Sequence, residues 1–168
     1  MKKKLISILL TLVLVLSLMP AVSLRAYAYE GNPYTGLVNT TTTVKFNNLD
    51  WYIIKDESSA VDAGTVTLLA KDPIGLSKFD ASGNLSNDYG ISTIKTNLDT
   101  LTKLGGSFAG VANAIVGVDL TDVQTPVNDA KLWLLSKDEA NALPENVRNC
   151  GEVWWLRTPQ SGSIDSVL

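Results

Sequence analysis

The longest apolar run of the chain lies at its beginning. Residues 5–18 are apolar except at three Ser or Thr positions, and they follow the lysines at positions 2–4. Pro20 ends the run, and Ala26-Tyr27-Ala28 has the small-x-small pattern that a signal peptidase accepts. The run is shorter than the roughly 20 residues of a membrane span. We therefore predict a signal peptide over residues 1–28, secretion to the cell surface or the medium, and no membrane association after its removal.

The pattern changes twice more in the first half of the chain. Residues 29–42 are polar, without an apolar period, and are typical of a leader or linker. "TVKFNNLDWYIIKD" (43–56) begins with alternating residues and ends in a dense apolar run, and "TVTLLA" (65–70) repeats the apolar texture. These two segments predict a hairpin-like pair of strands with a buried second half. Residues 72–91 are predicted to be irregular.

A helix is predicted to begin after Ser92, which is a natural N-cap. Ile94, Leu98, Leu101 and, less regularly, Leu104 recur at the spacing of one helix face, and the glycines at 105–106 are a natural stop. Residues 107–119 are small and apolar, which favours a short helix running into a strand.

The last third of the chain predicts two strands around a short helix. "AKLWLLS" (130–136) and "EVWWLR" (152–157) are the strand candidates. Between them, Ser136 and Glu139 have the spacing of a capping box, which predicts a helix through Leu143 that Pro144 closes. Short strands mixed with two or three short helices predict one α+β domain over residues 43–168.

Alternation along the strand candidate 152–157 places adjacent tryptophans on opposite faces. Val153 and Trp155 then share one face, and Trp154 and Leu156 share the other. Both faces are apolar, so we predict that both indoles are core, joined by Trp51 and Trp133, rather than a binding platform.

Arg157 stands where the last strand candidate leaves the core, just before Pro159. Two roles are open for its guanidinium. It either ties down loop carbonyls or a carboxylate of the helix at 137–143, or it contacts a ligand.

Composition and charge exclude several classes of function. Loss of the signal peptide leaves 10 basic against 17 acidic residues, a net charge of −7, with no Lys/Arg cluster. Nucleic acid and anionic membranes are therefore disfavoured as partners. The chain has one cysteine and no histidine, which excludes an internal disulfide, histidine-based triads and zinc sites with histidine ligands. We expect no cofactor and no metal.

Two motifs suggest chemistry without completing it. "STIK" (Ser92 to Lys95) matches the Ser-x-x-Lys nucleophile motif of penicillin-binding proteins and serine β-lactamases, but their Ser-x-Asn and Lys-Thr/Ser-Gly elements are absent, so an N-cap is the favoured interpretation. "DASGNLSND" (80–88) has oxygen side chains at alternate positions, as calcium loops do. The glycine and bidentate glutamate of an EF-hand loop are replaced by Leu85 and Ile91.

The order of "LDWYII", "TVTLLAKDPIG", "STIKTNLDTL", "LWLLSKDEA" and "WWLRTP" resembles a family of exported bacterial domains of unassigned function with a Trp-Trp-Leu-Arg-Ser-Pro-like motif. The resemblance covers about residues 43–160 and implies a C-type-lectin-like fold, which the formylglycine-generating-enzyme-like domains share. Formylglycine generation needs a cysteine pair and is not expected. The family pattern continues to a closing "GVRPA"-like strand, whereas this chain has "SGSIDSVL" (161–168), so we expect a domain without that strand.

The resemblance implies a noncatalytic binding module at the cell surface or in the medium, with a glycan or a surface protein as ligand, by analogy of fold alone. Candidate ligand-binding residues are Arg157, Thr158, Asp80, Asn84 and Asp88, expected at one end of the sheet. One alternative is a carboxylate-based hydrolase of wall polymer or glycan, which requires a cleft with two carboxylates about 5 to 10 Å apart. The other is a purely structural module of a longer surface protein.

Overall fold

A computed structural model describes residues 34–58, 64–81 and 86–159 of the chain. The described residues form an α+β fold, as predicted, with a three-stranded and a two-stranded antiparallel sheet beside short helices. Residues 1–33, which include the predicted signal peptide, and residues 160–168 lie outside this part of the chain. None of the helices in the described ranges is long and apolar enough to cross a membrane.

The three-stranded sheet begins with a tight hairpin that the sequence pattern did not indicate. Strand β1 (Thr43–Phe46) pairs with β2 (Leu49–Asp56), and Phe46 lies opposite Leu49. The two turn residues, Asn47 and Asn48, have φ angles of 50° and 62°. Asparagine tolerates this left-handed region better than most residues, and two such residues in succession match a type I′ turn. The prediction of one continuous segment over 43–56 is therefore wrong.

Strand β3 (Val66–Ala70) pairs with β2, which confirms the predicted hairpin-like pair. The register shifts at Ile54, because Ile53 lies opposite Leu68 while Lys55 lies opposite Thr67. An extra residue of this kind bends a strand and re-aims its side chains. Ile54 packs against the cluster that contains Leu156, and Ile53 is 1% exposed.

The segment before β1 is attached to the sheet. A 3₁₀ turn over Thr35–Leu37 follows Tyr34, whose backbone N–H donates to the Asp56 carboxylate at 3.0 Å. The backbone N–H of Asn39 donates to the carbonyl of Ile53 at 2.8 Å. Residues 34–42, assigned to the linker from sequence, therefore contact the folded domain.

Helix α1 (Thr93–Leu101) begins where predicted, with Ser92 as N-cap. Ile94 and Leu98 are buried, whereas Leu104 is fully exposed beyond the end of the helix. Its inclusion in the apolar face was wrong, because the chain turns at Leu101 before the glycines are reached. A 3₁₀ helix (Ala109–Ala114) then leads into strand β4 (Val118–Leu120), as the small apolar segment predicted.

Strand β5 (Val127–Ala130) pairs with β4, and residues 131–136 after it belong to no regular ladder. The strands predicted over 130–136 and 152–157 are therefore wrong: the second has one isolated bridge, at Trp155. In the segment 130–136, side chains bond to backbone groups that would otherwise pair in a ladder. The carbonyl of Leu134 accepts from the Arg157 side chain, and the N–H of Ser136 donates to the Glu139 side chain. Polar side chains often compete with secondary structure in this way.

Two short helices follow strand β5 in the last third of the chain. Helix α2 (Lys137–Ala142) has the predicted capping box between Ser136 and Glu139. Helix α3 (Glu145–Arg148) follows Pro144 and was not foreseen, because four residues are too few to show an apolar period.

Two clusters of buried residues in the core are connected by adjacent tryptophans. The first contains Phe79, Tyr89, Ile94, Leu120, Val127 and Ala130, with Trp133 and Trp155 packed against it. The second contains Leu135, Ala140, Leu143 and Leu156, with Ile54, Leu69 and Trp154 packed against it. The predicted division between Trp154 and Trp155 is confirmed.

Of the tryptophans predicted to be core, Trp51 is buried, and the other three are partly buried and pack against the two clusters. Trp51 is 6% exposed and lies edge-on to Phe46 and Phe108, and the Trp155 indole N–H donates to the carbonyl of Ser77 at 3.0 Å. Val153 departs from the pattern at 74% exposed. It precedes the point at which the chain enters the core.

Candidate functional site

A cleft of about 470 Å³ opens between the three-stranded sheet, strand β4 and helix α2. Its apolar lining includes Ile54, Val118, Leu120, Trp133, Leu135 and Leu143. Its charged lining consists of Lys55, Glu57, Asp119, Asp122, Glu139 and Arg157, and Asn39 and Thr67 add uncharged polar groups. The volume lies within the range of small-molecule binding sites.

Arg157 is 4% exposed at the base of this cleft, and its guanidinium is engaged from several directions. Nε donates to the two Asp122 oxygens at 2.9 and 3.1 Å, and Nη2 donates to Asp122 Oδ2 at 2.8 Å. Nη1 donates to the carbonyl of Leu134 at 2.7 Å and to Glu139 Oε2 at 2.5 Å. These bonds use four of the five guanidinium N–H groups. The interpretation of Arg157 as a tie to a loop carbonyl and to a carboxylate of the 137–143 helix is confirmed.

The bond to Glu139 connects Arg157 to the start of helix α2. Glu139 Oε2 also accepts from the backbone N–H of Ser136 at 2.8 Å, and Ser136 Oγ accepts from the N–H of Glu139 at 3.1 Å. One carboxylate thus completes a capping box and pairs with a buried cation.

Thr158 binds the same helix end through its hydroxyl. The backbone N–H of Lys137, one of the N–H groups without a partner inside α2, donates to Thr158 Oγ1 at 2.9 Å. Leu156, Arg157 and Thr158 therefore dock on α2 by a buried side chain, an ion pair and a cap, in that order.

The electrostatics at Arg157 favour full ionisation. The hydrogen bonds from Arg157 lower the pKa of Asp122, an effect that outweighs desolvation. Desolvation acts to lower the pKa of Arg157, but the bonds to Glu139 and Asp122 oppose it and the pKa is raised. Asp122 remains a carboxylate over the ordinary pH range.

Two carboxylates line the cleft, as a carboxylate-based hydrolase requires. Asp122 and Glu139 both line the cleft and contact the same guanidinium. Glycoside hydrolysis needs one carboxyl group that is protonated and able to donate its proton. Arg157 lowers the pKa of Asp122 through its hydrogen bonds and binds both carboxylates, so this pair is better suited to hold Arg157 in place than to transfer protons.

Asp88, a predicted ligand-binding residue, is buried and makes internal bonds. Its carboxylate accepts from the backbone N–H groups of Gly90 and Thr125, at 3.0 and 3.1 Å, and from the Thr125 hydroxyl at 2.5 Å. A Cβ at Gly90 would lie 2.0 Å from the carbonyl oxygen of Thr125, so only glycine permits this approach. Asp88 fastens the 3₁₀ helix over Tyr89–Ile91 to the loop at 121–126.

Of the two remaining loop candidates, only Asp80 lies among the described residues. Asp80 Oδ2 accepts from the backbone N–H of Ser86 at 3.1 Å, and Asn84 lies outside the described residues. The loop at 121–126 brings Arg157 and Asp88 into one network, because Asp122 contacts the first and Thr125 the second. The described residues contain no group of three or more Cys, Asp or Glu side chains arranged to hold a metal ion.

The Ser-x-x-Lys motif acts as a cap. Ser92 is fully buried, its Oγ donates to the carbonyl of Tyr89 at 2.7 Å, and the same oxygen accepts from the backbone N–H of Lys95 at 3.2 Å. The Lys95 ammonium pairs with Asp99 at 2.5 Å instead of facing the serine.

Several cleft residues were not found from sequence. Asp122, Asp119 and Glu57 stand in unremarkable polar stretches, and Asn39 was assigned to the linker. The side-chain oxygen of Asn39 is buried and accepts no hydrogen bond from the described residues. No local pattern reveals these positions, because they meet only through contacts between distant segments.

No family model, no curated protein and no solved structure matches the chain. The cleft and its chemistry therefore carry the functional conclusion.

Proposed function

We propose that the chain is an exported, noncatalytic binding module of C-type-lectin-like fold, belonging to the family that its Trp-Trp-Leu-Arg-Thr-Pro segment resembles. Its ligand is a glycan or a surface protein, and the cleft between the sheet and α2 is the binding site. The single observation that supports this proposal best is the cleft itself, at about 470 Å³ with Trp133 and aliphatic side chains beside charged groups. Apolar lining with a few placed polar groups is typical of ligand sites.

In this proposal the main role of Arg157 and Thr158 is to stabilise the walls of the site. Arg157 holds Asp122 and Glu139 at the base of the cleft, and Thr158 holds the start of α2. Asp88 holds the loop that carries Asp122. The direct ligand contacts proposed for Asp80 and Asn84 stay predictions.

A pair of tyrosine substitutions tests the site. Ala142 is exposed, lines the cleft and lies in the last turn of α2. Ala142→Tyr places a large ring in the cleft, whereas Asn146→Tyr adds the same ring to an exposed position of α3 outside it. We expect the full chain to bind members of an array of bacterial and host glycans, Ala142→Tyr to lose that binding, and Asn146→Tyr to keep it.

Binding that Ala142→Tyr leaves unchanged would place the site elsewhere. Two negative results together would overturn the proposal in favour of a structural module. The full chain would bind no glycan, and it would capture no cell-surface protein that Ala142→Tyr fails to capture.

The hydrolase alternative rests on the presence of Asp122 and Glu139 in one cleft. It predicts release of soluble fragments from labelled wall polymer by the full chain, and loss of that release in Glu139→Gln. Binding to the polymer without release of fragments contradicts it.

A further inference from the structure

The cleft presents hydrogen-bond acceptors in excess of donors. Its four carboxylates and two cations carry a formal charge of −2. Both cations are already paired with cleft carboxylates, because Lys55 Nζ lies 2.9 Å from Glu57 Oε1 and Arg157 binds Asp122 and Glu139. A molecule that enters the cleft therefore meets carboxylate oxygens more readily than positive charge.

The acceptors that remain available lie on different walls. Among the described residues, Asp119 Oδ1 accepts from the N–H of Asp129 while Oδ2 accepts no bond, and Glu139 Oε2 accepts two bonds while Oε1 accepts none. Asp119 belongs to β4 and Glu139 to α2, on separate sides of the cleft.

Resting on the proposed binding function, we infer that the ligand of this cleft is a sugar that carries a free amino group, such as an unacetylated glucosamine unit of a glycan. A ring with several hydroxyl groups and one ammonium presents donors in several directions, as acceptors on separate walls require. A lysine side chain presents one donor group, which serves one wall. The apolar face of a sugar ring packs on an indole, and Trp133 lines the cleft. Phosphorylated and carboxylated glycans are disfavoured by repulsion.

The test compares two disaccharides that differ only in the amine. The isotope-labelled full chain is titrated with the glucosamine disaccharide and with its N-acetylated form, and amide chemical shifts locate the site. At low ionic strength we expect the free amine to bind about fivefold more tightly, the equivalent of about 1 kcal/mol for a solvent-exposed ion pair. Salt should reduce this preference.

Two substitutions separate charge from fold. Asp119→Asn keeps the oxygen that accepts from Asp129 and removes the negative charge, so we expect the preference for the free amine to shrink. Asp72→Asn removes an exposed carboxylate outside the cleft and should leave the preference unchanged.

The outcomes distinguish this inference from the proposed function. Equal binding of both disaccharides in the cleft overturns the amino-sugar inference and leaves the binding module intact. Shifts in the cleft with a lysine-rich peptide but with neither sugar also overturn it. Absence of cleft shifts with sugars, peptide and the glycans of the array removes the proposed function as well.

Discussion

At the scale of single residues, Arg157 determines how the end of the described chain is attached. It is buried, and its guanidinium donates to Asp122, Glu139 and the carbonyl of Leu134. The backbone N–H of Arg157 donates to the carbonyl of Leu135 at 2.9 Å. Asp122 and Glu139 are each nearly half exposed, so solvent weakens the ion pairs. Because the guanidinium is buried and has several partners, Arg157 has a structural role in the cleft.

Arg157→Ala should lower the free energy of unfolding by about 3 kcal/mol, because it removes a buried cation and leaves the carbonyl of Leu134 without that donor. Arg157→Lys should lie between wild type and Ala, since an ammonium lacks the planar fork that binds Asp122 through two nitrogens. Urea denaturation measures both, with Arg148→Ala, outside the network, as control.

Wild-type stability of Arg157→Ala combined with weaker ligand binding would instead assign Arg157 to ligand contact.

Thr158 offers a second residue-scale prediction. Thr158→Val keeps the shape and removes the oxygen that accepts from Lys137, so we expect a loss of about 1 kcal/mol, the usual value of a helix cap. Thr158→Ser keeps the oxygen and should remain within a few tenths of wild type. Equal stability of the two variants in thermal unfolding would show that the cap contributes nothing.

At the scale of elements, turns and caps decide where strands and helices begin. The capping box at α2 and the Ser92 cap at α1 could be read from sequence, because their hydrogen bonds join residues three apart. The strand candidate at 130–136 could not be assessed from local spacing, because the carbonyl of Leu134 and the N–H of Ser136 bond to the side chains of Arg157 and Glu139.

The Asn47-Asn48 turn permits an element-scale test. Asn48 is exposed and has a φ of 62°, so a β-branched residue is strained there, whereas glycine is not. We expect Asn48→Val to destabilise the domain by about 1 to 2 kcal/mol and Asn48→Gly to be neutral or stabilising. Urea denaturation checks both, and equal destabilisation by Val and Gly would argue against a left-handed requirement at this turn.

At the scale of the whole molecule, two core clusters are connected by the segment that contains Trp154 and Trp155. Trp154 packs on the second cluster and Trp155 on the first, and Arg157 then connects α2 with the loop at 121–126. The cleft is bounded by these same parts, so its shape depends on the association of distant segments.

Acid should weaken this association. The hydrogen bonds from Arg157 lower the pKa of Asp122 below its unfolded value of 3.8. A carboxylate with a lowered folded pKa contributes stability that is present above the unfolded value and is lost as the pH falls through the folded one. Asp50, through Lys45, has a pKa lowered in the same direction. The free energy of unfolding should therefore decline as the pH is lowered below about 4.

Asp122→Asn should be less stable at pH 7 and should show a shallower decline below pH 4, measured by urea denaturation across the pH range. Asp72→Asn serves as the exposed control. A slope identical to wild type in Asp122→Asn would mean that this ion pair is not linked to folding.

The sequence by itself determined the features that depend on neighbours along the chain: the α+β class, the Ser92 cap of α1, the capping box of α2, and the separation of Trp154 from Trp155 by alternation. It also limited Arg157 to two roles, and the contacts with Leu134 and Glu139 confirmed the structural one. Only the tertiary structure decided which acid Arg157 meets across 35 residues, that two segments predicted as strands lack a regular ladder, and that Asn39 and Asp119 line one cleft. The physical reason is range, because caps, turns and alternation are set by local backbone geometry, whereas a cleft is formed by segments whose proximity no local pattern encodes.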